Sequence, residues 1–324
     1  MQKTLSVVNL TAIRSNAEKI KSLLHGKKFY AVVKADAYGH GAVEVSREIE
    51  DIVDGFCVAI ADEGAALRIG GITKPILVFS PLLGKDDVSE CAFYDLAATV
   101  NGAAAAKLIG GLPCHIKINT GMNRYGCNLN ELEEALEILD KSQILGVYSH
   151  LYAADDAQVS KKQLCEFLPA VKAVKAVNPE AVAHISASGG ILRGGEYLLD
   201  GVRAGIMLYG YSPSGFTAEG LTPALKVYAR LSQETSPVGG GVGYNSADKN
   251  YEKLYTYRLG YADGFSRNCP LGEKTLCMDA FISQEKQPLM CVMDDARAYA
   301  ERLGTISYEA LCSVTRRSQR IYER

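Results

Sequence analysis

Several features common to other protein classes are missing from this sequence of 324 residues. No apolar run reaches the 18 residues that a membrane-spanning helix needs. The first residues lack the apolar core and small-residue cleavage site of a signal peptide, so we expect a cytoplasmic protein. With 35 basic and 37 acidic residues the formal net charge is -2, and no basic block could neutralise a run of phosphates. We therefore expect neither a nucleic acid nor a membrane as partner.

The nine cysteines are an odd number and contain no C-x-x-C pair. A disulfide framework or a zinc site would need such pairing. We expect reduced thiols that serve mainly as small apolar side chains, and no metal site.

Apolar segments recur along the first two thirds of the chain, and each interval between them can hold a helix or a helical turn. Eight segments predict strands: 29–34, 55–61, 75–80, 94–100, 114–119, 144–150, 181–186 and 200–206. Buried strands that alternate with helices form a parallel sheet. Eight such units predict an α/β fold, a (β/α)8 barrel of the TIM type.

The pattern changes near residue 212, where turn-forming residues are followed by segments that alternate like strands. We predict a barrel domain over residues 1–219 and a smaller, shortened, mainly β domain over residues 220–324. The glycine-rich segment 238–244 is compatible with a phosphate loop, but no helix pattern follows it and no lysine closes it. A turn that leads into Tyr244 is the better interpretation.

The most informative segment is FYAVVKADAYGHG, residues 29–41. Its apolar, β-branched start predicts a buried strand that delivers Lys34 at its carboxyl end, where α/β folds carry their chemistry. A lysine there either takes part in chemistry or extends its ammonium group into water. Further polar residues also fall at or just after the ends of predicted strands: Lys117, His150, Ser188 and Arg203. Each could instead be a core histidine, a turn cap or a buried ion-pair partner, but their convergence on one face predicts a site.

Residues 33–41 closely resemble the lysine motif of the alanine racemase family, and the resemblance extends over almost the whole chain. It implies a barrel followed by a β domain, with pyridoxal 5'-phosphate (PLP) as cofactor and Lys34 as the Schiff-base lysine. Segments 184–190 and 200–210 resemble the family's phosphate and ring motifs. The resemblance places Arg203 at the pyridine nitrogen and implies other cofactor contacts at Tyr38, His150, Ser188, Gly205, Ile206 and Tyr308.

The segment INTGMNRYG, residues 118–126, resembles another family motif. It implies that Arg124 contacts the phenolic oxygen of PLP and the substrate. It also implies that Lys117 is carbamylated and orients Arg124. Asn119 stands where the family usually has aspartate.

Segments 242–248, 260–265 and 277–279 resemble catalytic stretches of the family's second domain. The resemblance implies that Tyr244 is a catalytic base and that Tyr261 and Met278 bind the substrate near its carboxylate. It also implies a head-to-tail homodimer in which Tyr244 completes the site of the partner. The segment between Tyr261 and Met278 is shorter than usual, and Thr275 replaces a channel arginine.

Racemisation needs a proton acceptor on each face of the reacting carbon, and Lys34 and Tyr244 would supply the two. A phenol with a pKa of about 10 is a weak base unless a neighbour assists it, and the family pattern gives His150 that role. A guanidinium does not give up its proton, so Arg203 would keep the pyridine nitrogen unprotonated and limit side reactions. By the same pattern His184 holds Arg203 in place.

The resemblance thus implies an isomerase, an alanine racemase that supplies D-alanine for the peptidoglycan of the cell wall. A serine or broad-specificity amino-acid racemase is the first alternative, because a hydroxymethyl group is only slightly larger than a methyl group. A PLP-binding regulatory or carrier protein is another, although the second domain and Tyr244 count against it. A decarboxylase on this fold would need an acidic residue at the position of Arg203. A Schiff-base aldolase barrel would work without PLP.

Overall fold

A computed structural model of the chain describes residues 4–238, 240–246, 251–269 and 275–324. The chain forms two compact units. The barrel unit consists of Ile13–Ala37 and Ala42–Thr222, and the β unit consists of Met1–Ala12, Tyr38–Gly41 and Pro223–Arg324. The predicted domain division, 1–219 and 220–324, stays a prediction, because compact packing does not show that a segment folds independently.

The strands of the first two thirds of the chain are β1 (Thr4–Asn9), β2 (Lys28–Val32), β3 (Gly55–Val58), β4 (Ile76–Val78), β5 (Ala98–Val100), β6 (Cys114–Lys117), β7 (Ile144–Tyr148), β8 (Val182–His184) and β9 (Gly201–Ala204). Strands β9, β2, β3 and β4 pair in parallel, and so do β5, β6, β7 and β8. A parallel bridge between Leu77 and Ala97 links the two sets. At the other junction the N–H of Arg203 donates to the carbonyl of Ser186 at 2.9 Å. The barrel therefore closes, and the predicted (β/α)8 fold with its eight strands is confirmed.

Burial explains why these strands do not alternate in sequence. Every residue of β3, β5 and β6 is buried, because the helices cover the outer face of the barrel and side chains fill its interior. The strands of a sheet that is covered on both faces therefore consist of consecutive apolar residues.

The α-helices are Leu10–Ser22, Ala42–Ile49, Ala61–Ile69, Lys85–Phe93, Ala103–Ile109, Leu129–Ile138, Ala157–Val177, Ser188–Arg193, Ala296–Leu303 and Ser307–Ser313. Short 3-10 helices are Lys141–Gln143, Gly195–Leu198, Ile206–Tyr209 and Tyr261–Asp263. The longest helix begins after Asp156, whose carboxylate accepts hydrogen bonds from the N–H groups of Gln158 and Val159 at 2.8 and 2.9 Å. Among the described helices, none is long and apolar enough to cross a membrane.

The strands of the last third are β10 (Leu225–Thr235), β11 (Gly241–Val242), β12 (Asn245–Ser246), β13 (Leu254–Tyr257), β14 (Thr275–Leu276), β15 (Phe281–Ser283), β16 (Leu289–Met293) and β17 (Gln319–Glu323). The long β10 pairs antiparallel with β1, β13 and β16, and β1 pairs in parallel with β17. The N-terminal strand is thus built into the sheet of the C-terminal third. This unit is mainly β, as predicted.

Strands β11 and β12 form a separate hairpin in which Val242 pairs with Asn245. Gly243 and Tyr244 make the two-residue turn between them. The predicted turn at Tyr244 is therefore confirmed.

Candidate active site

Lys34 follows β2 at the carboxyl end of the barrel, after Val33, whose N–H donates to the carbonyl of Cys57 at 2.9 Å. The next four residues, 35–38, have φ between 51° and 53° and form a left-handed helical turn without a glycine. This conformation costs ordinary residues about 1–2 kcal/mol each. The chain therefore leaves the strand through a strained turn, and Lys34 stands at its start, half-buried.

Two carboxylates hold this turn. Glu63 accepts hydrogen bonds from the N–H groups of Ala35 at 2.7 Å and Ala59 at 2.6 Å, and so joins the chain segments that follow β2 and β3. Asp36 accepts a hydrogen bond from the N–H of Ala42 at 2.7 Å, where the next helix begins. Neither the turn nor Glu63 is recognisable in the sequence, because no glycine marks the left-handed residues and Glu63 belongs to the next βα unit.

Four basic side chains act electrostatically on the imidazole of His150: Arg203, Lys117, Arg124 and Lys34. Loss of water around the ring, and then these charges, lower the pKa of His150 well below its ordinary 6.5. The fold thus brings five of the residues singled out in the sequence within electrostatic reach of one another. We call the four side chains and His150 the cationic cluster.

Lys117 ends β6 and is 7% exposed. Its Nζ atom lies 4.6 Å from the centre of the Tyr148 ring. Burial, followed by the charges of Arg203 and Arg124, lowers the pKa of Lys117 well below 10.5 and favours the neutral amine. Two residues further on, Oδ1 of Asn119 accepts hydrogen bonds from the N–H groups of Gly121 and Asn123, each at 3.1 Å. An amide oxygen therefore organises the turn before Arg124 at the position where aspartate is usual.

Arg203 lies in β9 and is 2% exposed. Its Nη1 donates to Nδ1 of His184 at 2.7 Å and to the carbonyl of the same residue at 2.9 Å. Its Nη2 donates to the carbonyls of Ser149 at 2.6 Å and Ile185 at 3.1 Å. These four acceptors match the four N–H groups of the terminal nitrogens. Among the residues that the structure describes, none accepts from the Nε–H, so this donor remains for a bound group.

Ser188 begins a short helix and is buried. Its hydroxyl oxygen accepts hydrogen bonds from the N–H of Gly205 at 3.2 Å and the N–H of Met207 at 3.5 Å. Ile206 lies between these two residues, at the start of a 3-10 helix. A hydroxyl beside several backbone N–H groups is a typical arrangement for binding phosphate.

The other predicted residues belong to the β unit. The rings of Tyr38 and Tyr308 lie 6.0 Å apart, and burial raises the pKa of Tyr308 to about 12. Tyr244, in the hairpin turn, is 78% exposed. Tyr261 and Met278 are neighbours, because the N–H of Ala262 donates to the carbonyl of Met278 at 3.0 Å, and both side chains are exposed. Their roles stay predictions.

Comparisons with known proteins agree over the whole chain. Residues 8–213 match a family model described as alanine racemase, N-terminal domain. The sequence is 34% identical to the alanine racemase of Streptococcus gordonii, over 98% of this chain and 97% of that protein. The alignment spans 366 positions, more than the 324 residues here, so the relative contains insertions that this chain lacks.

Two solved structures superpose with a TM-score of 0.89, and each is 30% identical in sequence. One is an alanine racemase from Clostridium difficile 630, and the other is the alanine racemase from Bacillus anthracis with bound L-Ala-P. Each superposition covers 100% of this chain and 96% of the other. The similarity therefore includes both the barrel and the β unit.

Below pH 6.5 the protein should lose stability because three barrel histidines are held neutral. Burial and then Arg203 lower the pKa of His115 to about 3 and the pKa values of His184 and His150 well below 6.5. A depressed pKa contributes stability that is complete above the unfolded pKa, about 6.5, and is lost as the pH falls towards the folded pKa. Between pH 6.5 and 5 we expect the free energy of unfolding, measured with urea, to fall by up to about 1.4 kcal/mol per pH unit for each histidine.

The exposed His25 provides the matched control for this measurement. The His25→Gln variant should show the wild-type dependence of the free energy of unfolding on pH. In the His115→Asn variant this dependence should be weaker by the contribution of one histidine. A free energy of unfolding that stays constant from pH 7 to pH 5 would contradict the neutral state of the buried rings.

Proposed function

The chain belongs to the alanine racemase family, and on this premise we propose that it interconverts L-alanine and D-alanine with PLP as its cofactor. The observation that carries the proposal is the cationic cluster at the carboxyl end of the barrel, where four basic side chains act electrostatically on His150. PLP brings a phosphate and a phenolic oxygen, both anionic, and such charges would stabilise this cluster.

The donors present in the barrel unit fit this cofactor. Lys34 would bind it covalently, and the Nε–H of Arg203 would donate to the pyridine nitrogen. The phosphate would accept hydrogen bonds from the Ser188 hydroxyl and from the N–H groups of Gly205 and Ile206. Arg124 would face the phenolic oxygen, while the assignments of Tyr38 and Tyr308 to the phosphate rest on the family pattern. When bound, the cofactor supplies an electron sink that delocalises the charge left on the substrate carbon.

Two side chains would move the proton at the Cα atom of alanine. The amine of Lys34 takes or returns it on one face, and the phenol of Tyr244 of the partner subunit does so on the other face. His150 supports the tyrosine. Because its pKa is lowered, the imidazole is unprotonated near neutral pH and can accept a hydrogen bond from the phenol.

Arg203 would direct the reaction towards racemisation. A guanidinium donates a hydrogen bond but does not transfer its proton, so Arg203 would leave the pyridine nitrogen of a bound cofactor unprotonated. Arg203 would in this way limit the side reactions that compete with reprotonation of the substrate carbon. The four acceptors on Nη1 and Nη2 keep the guanidinium in one orientation for this role.

Lys117 has the properties that a carbamylated lysine needs. Its amine is buried and favoured in the neutral form, which is the form that attacks carbon dioxide. The carbamate would replace a neutral group by an anion within electrostatic reach of Arg203 and Arg124, both of which lower the pKa of Lys117. It would thereby neutralise part of the cationic cluster and hold Arg124 in place.

We place this activity in the cytoplasm, where D-alanine is needed for peptidoglycan. The active form is a head-to-tail homodimer, in which the exposed Tyr244 of each subunit enters the site of the other. Tyr261 and Met278 contribute to substrate binding in the same way. The small amino-acid substrate is alanine.

Replacement of Lys34 by alanine should abolish racemisation, because the variant loses the covalent anchor of the cofactor and one of the two bases. We expect at least a thousandfold loss in kcat, measured as D-alanine formed from L-alanine by chiral chromatography. Borohydride reduction and mass spectrometry should locate the cofactor on the peptide that contains Lys34 in the wild type.

The matched control is Lys28→Ala, at the exposed amino end of the same strand, which should keep wild-type activity. A panel of other L-amino acids tests the substrate. Wild-type turnover in the Lys34→Ala variant, or a wild-type preference for serine over alanine, would contradict the proposal.

Mixing two inactive variants tests the shared site of the dimer. Lys34→Ala and Tyr244→Phe subunits, when exchanged freely, should form hybrids in about half of the dimers, and each hybrid has one intact site. Activity should therefore recover to about a quarter of wild type, because one of the two sites works in half of the dimers if the sites act independently and protomers exchange freely across a symmetric interface. No recovery, with hybrids verified by native mass spectrometry, would show that Tyr244 does not act in the partner's site.

A further inference from the structure

A line of three hydrogen-bonded side chains runs through the inside of the barrel and begins at Arg203 of the cationic cluster. Nη1 of Arg203 lies 2.7 Å from Nδ1 of His184, and Nε2 of His184 lies 2.8 Å from Nδ1 of His115. All three side chains are buried. His115 was not singled out in the sequence, where it is one polar residue in the apolar strand β6.

The chemistry of the donors fixes the position of every proton on this line. A guanidinium only donates, so Nδ1 of His184 must be the acceptor and carries no hydrogen. The hydrogen of the neutral His184 ring therefore lies on Nε2, which donates to Nδ1 of His115. His115 in turn accepts at Nδ1 and is protonated at Nε2. The line thus has one direction, from Arg203 through His184 to His115.

Aromatic packing prevents His184 from finding another partner. Its ring stacks on Tyr148 with 5.1 Å between ring centres and 8° between planes, and the Tyr30 ring lies 5.5 Å away on a tilted plane. Tyr148 is itself tied through its hydroxyl to Oγ1 of Thr99 at 2.8 Å. If Nδ1 of His115 were absent, the N–H of His184 would be a buried donor without this acceptor. Arg203 would still require an acceptor at Nδ1, so the tautomer would not change. The ring would lose the hydrogen bond that holds its far side, and with it the fixed position of the nitrogen that faces Arg203.

We propose that His115 is a positioning residue that accepts the hydrogen bond from Nε2–H of His184, and so fixes the position of this ring and the orientation of the Arg203 guanidinium. Its effect on catalysis rests on the proposed function, in which Arg203 faces the pyridine nitrogen. The hydrogen bond between the two imidazole rings is a property of this chain and can be measured apart from activity.

The experiment is ring-nitrogen NMR on the holoenzyme labelled with 15N in its five histidines, assigned by single substitutions. Two variants are compared with the wild type. His115→Asn keeps an acceptor, because the amide oxygen can occupy the place of Nδ1. His115→Leu introduces an apolar side chain of similar size, which offers no hydrogen-bond acceptor.

We expect the wild type and His115→Asn to hold His184 protonated at Nε2, with that proton in a hydrogen bond. His115→Leu should keep the tautomer but lose the downfield proton shift and the slow exchange of a hydrogen-bonded Nε2–H. In the leucine variant kcat should fall about tenfold, with KM changed less than about twofold, and asparagine should restore most of the loss. A His184 ring protonated at Nδ1 in the wild type would overturn the proposal. So would a leucine variant with an unchanged Nε2–H signal and kcat, or an asparagine variant that loses this signal.

The asparagine variant decides the matter if the leucine variant does not fold. The expected tautomers in a protein that does not racemise alanine would support the line of hydrogen bonds and contradict the proposed function. A His184 ring protonated at Nδ1 in an active racemase would contradict the line of hydrogen bonds and support the proposed function.

Discussion

A guanidinium enclosed within the barrel is the constraint on which the rest of the site depends. Arg203 stays charged at any ordinary pH, and in the part of the chain that the structure describes no carboxylate lies within ion-pair distance of it. Three carbonyls and one imidazole satisfy its hydrogen bonds without cancelling its charge. The neighbouring basic groups respond, because the charge of Arg203 adds to burial in lowering the pKa values of His184, His150 and Lys117.

This arrangement explains how one buried charge can organise acid–base chemistry. Histidines that remain neutral can accept hydrogen bonds, and a neutral lysine can react as an amine. The positive charge that remains is available for an anionic cofactor. Part of the stability of the protein is used to keep the site in this state, since a buried unpaired charge and the left-handed turn after Lys34 are both costly. The closed barrel, and the carboxylates of Glu63 and Asp36, offset that cost.

The sequence predicted the features that depend on local pattern. Eight continuous apolar runs predicted the eight barrel strands, because strands covered on both faces need no polar alternation. The position of Lys34 at a strand end predicted that it would lie with Lys117, His150 and Arg203, since parallel strands place their carboxyl ends on one face. Turn-forming residues predicted the hairpin turn at Tyr244.

Features that depend on contacts distant in sequence escaped prediction. Nothing local shows that β1 joins the C-terminal sheet, because its apolar residues would suit either unit. Residues 35–38 contain no glycine, so their left-handed backbone follows only from the carboxylates that hold it. His115 could be identified only once β6 and β8 had brought it to His184.

The central claim is that Arg203 donates to the pyridine nitrogen of PLP and leaves it without a proton. The most direct measurement is the 15N chemical shift of that nitrogen in the enzyme reconstituted with ring-labelled cofactor. We expect the 15N chemical shift of a neutral, hydrogen-bonded pyridine, and we expect this shift to stay constant from pH 6 to pH 9. A pyridinium shift anywhere in this range would contradict it.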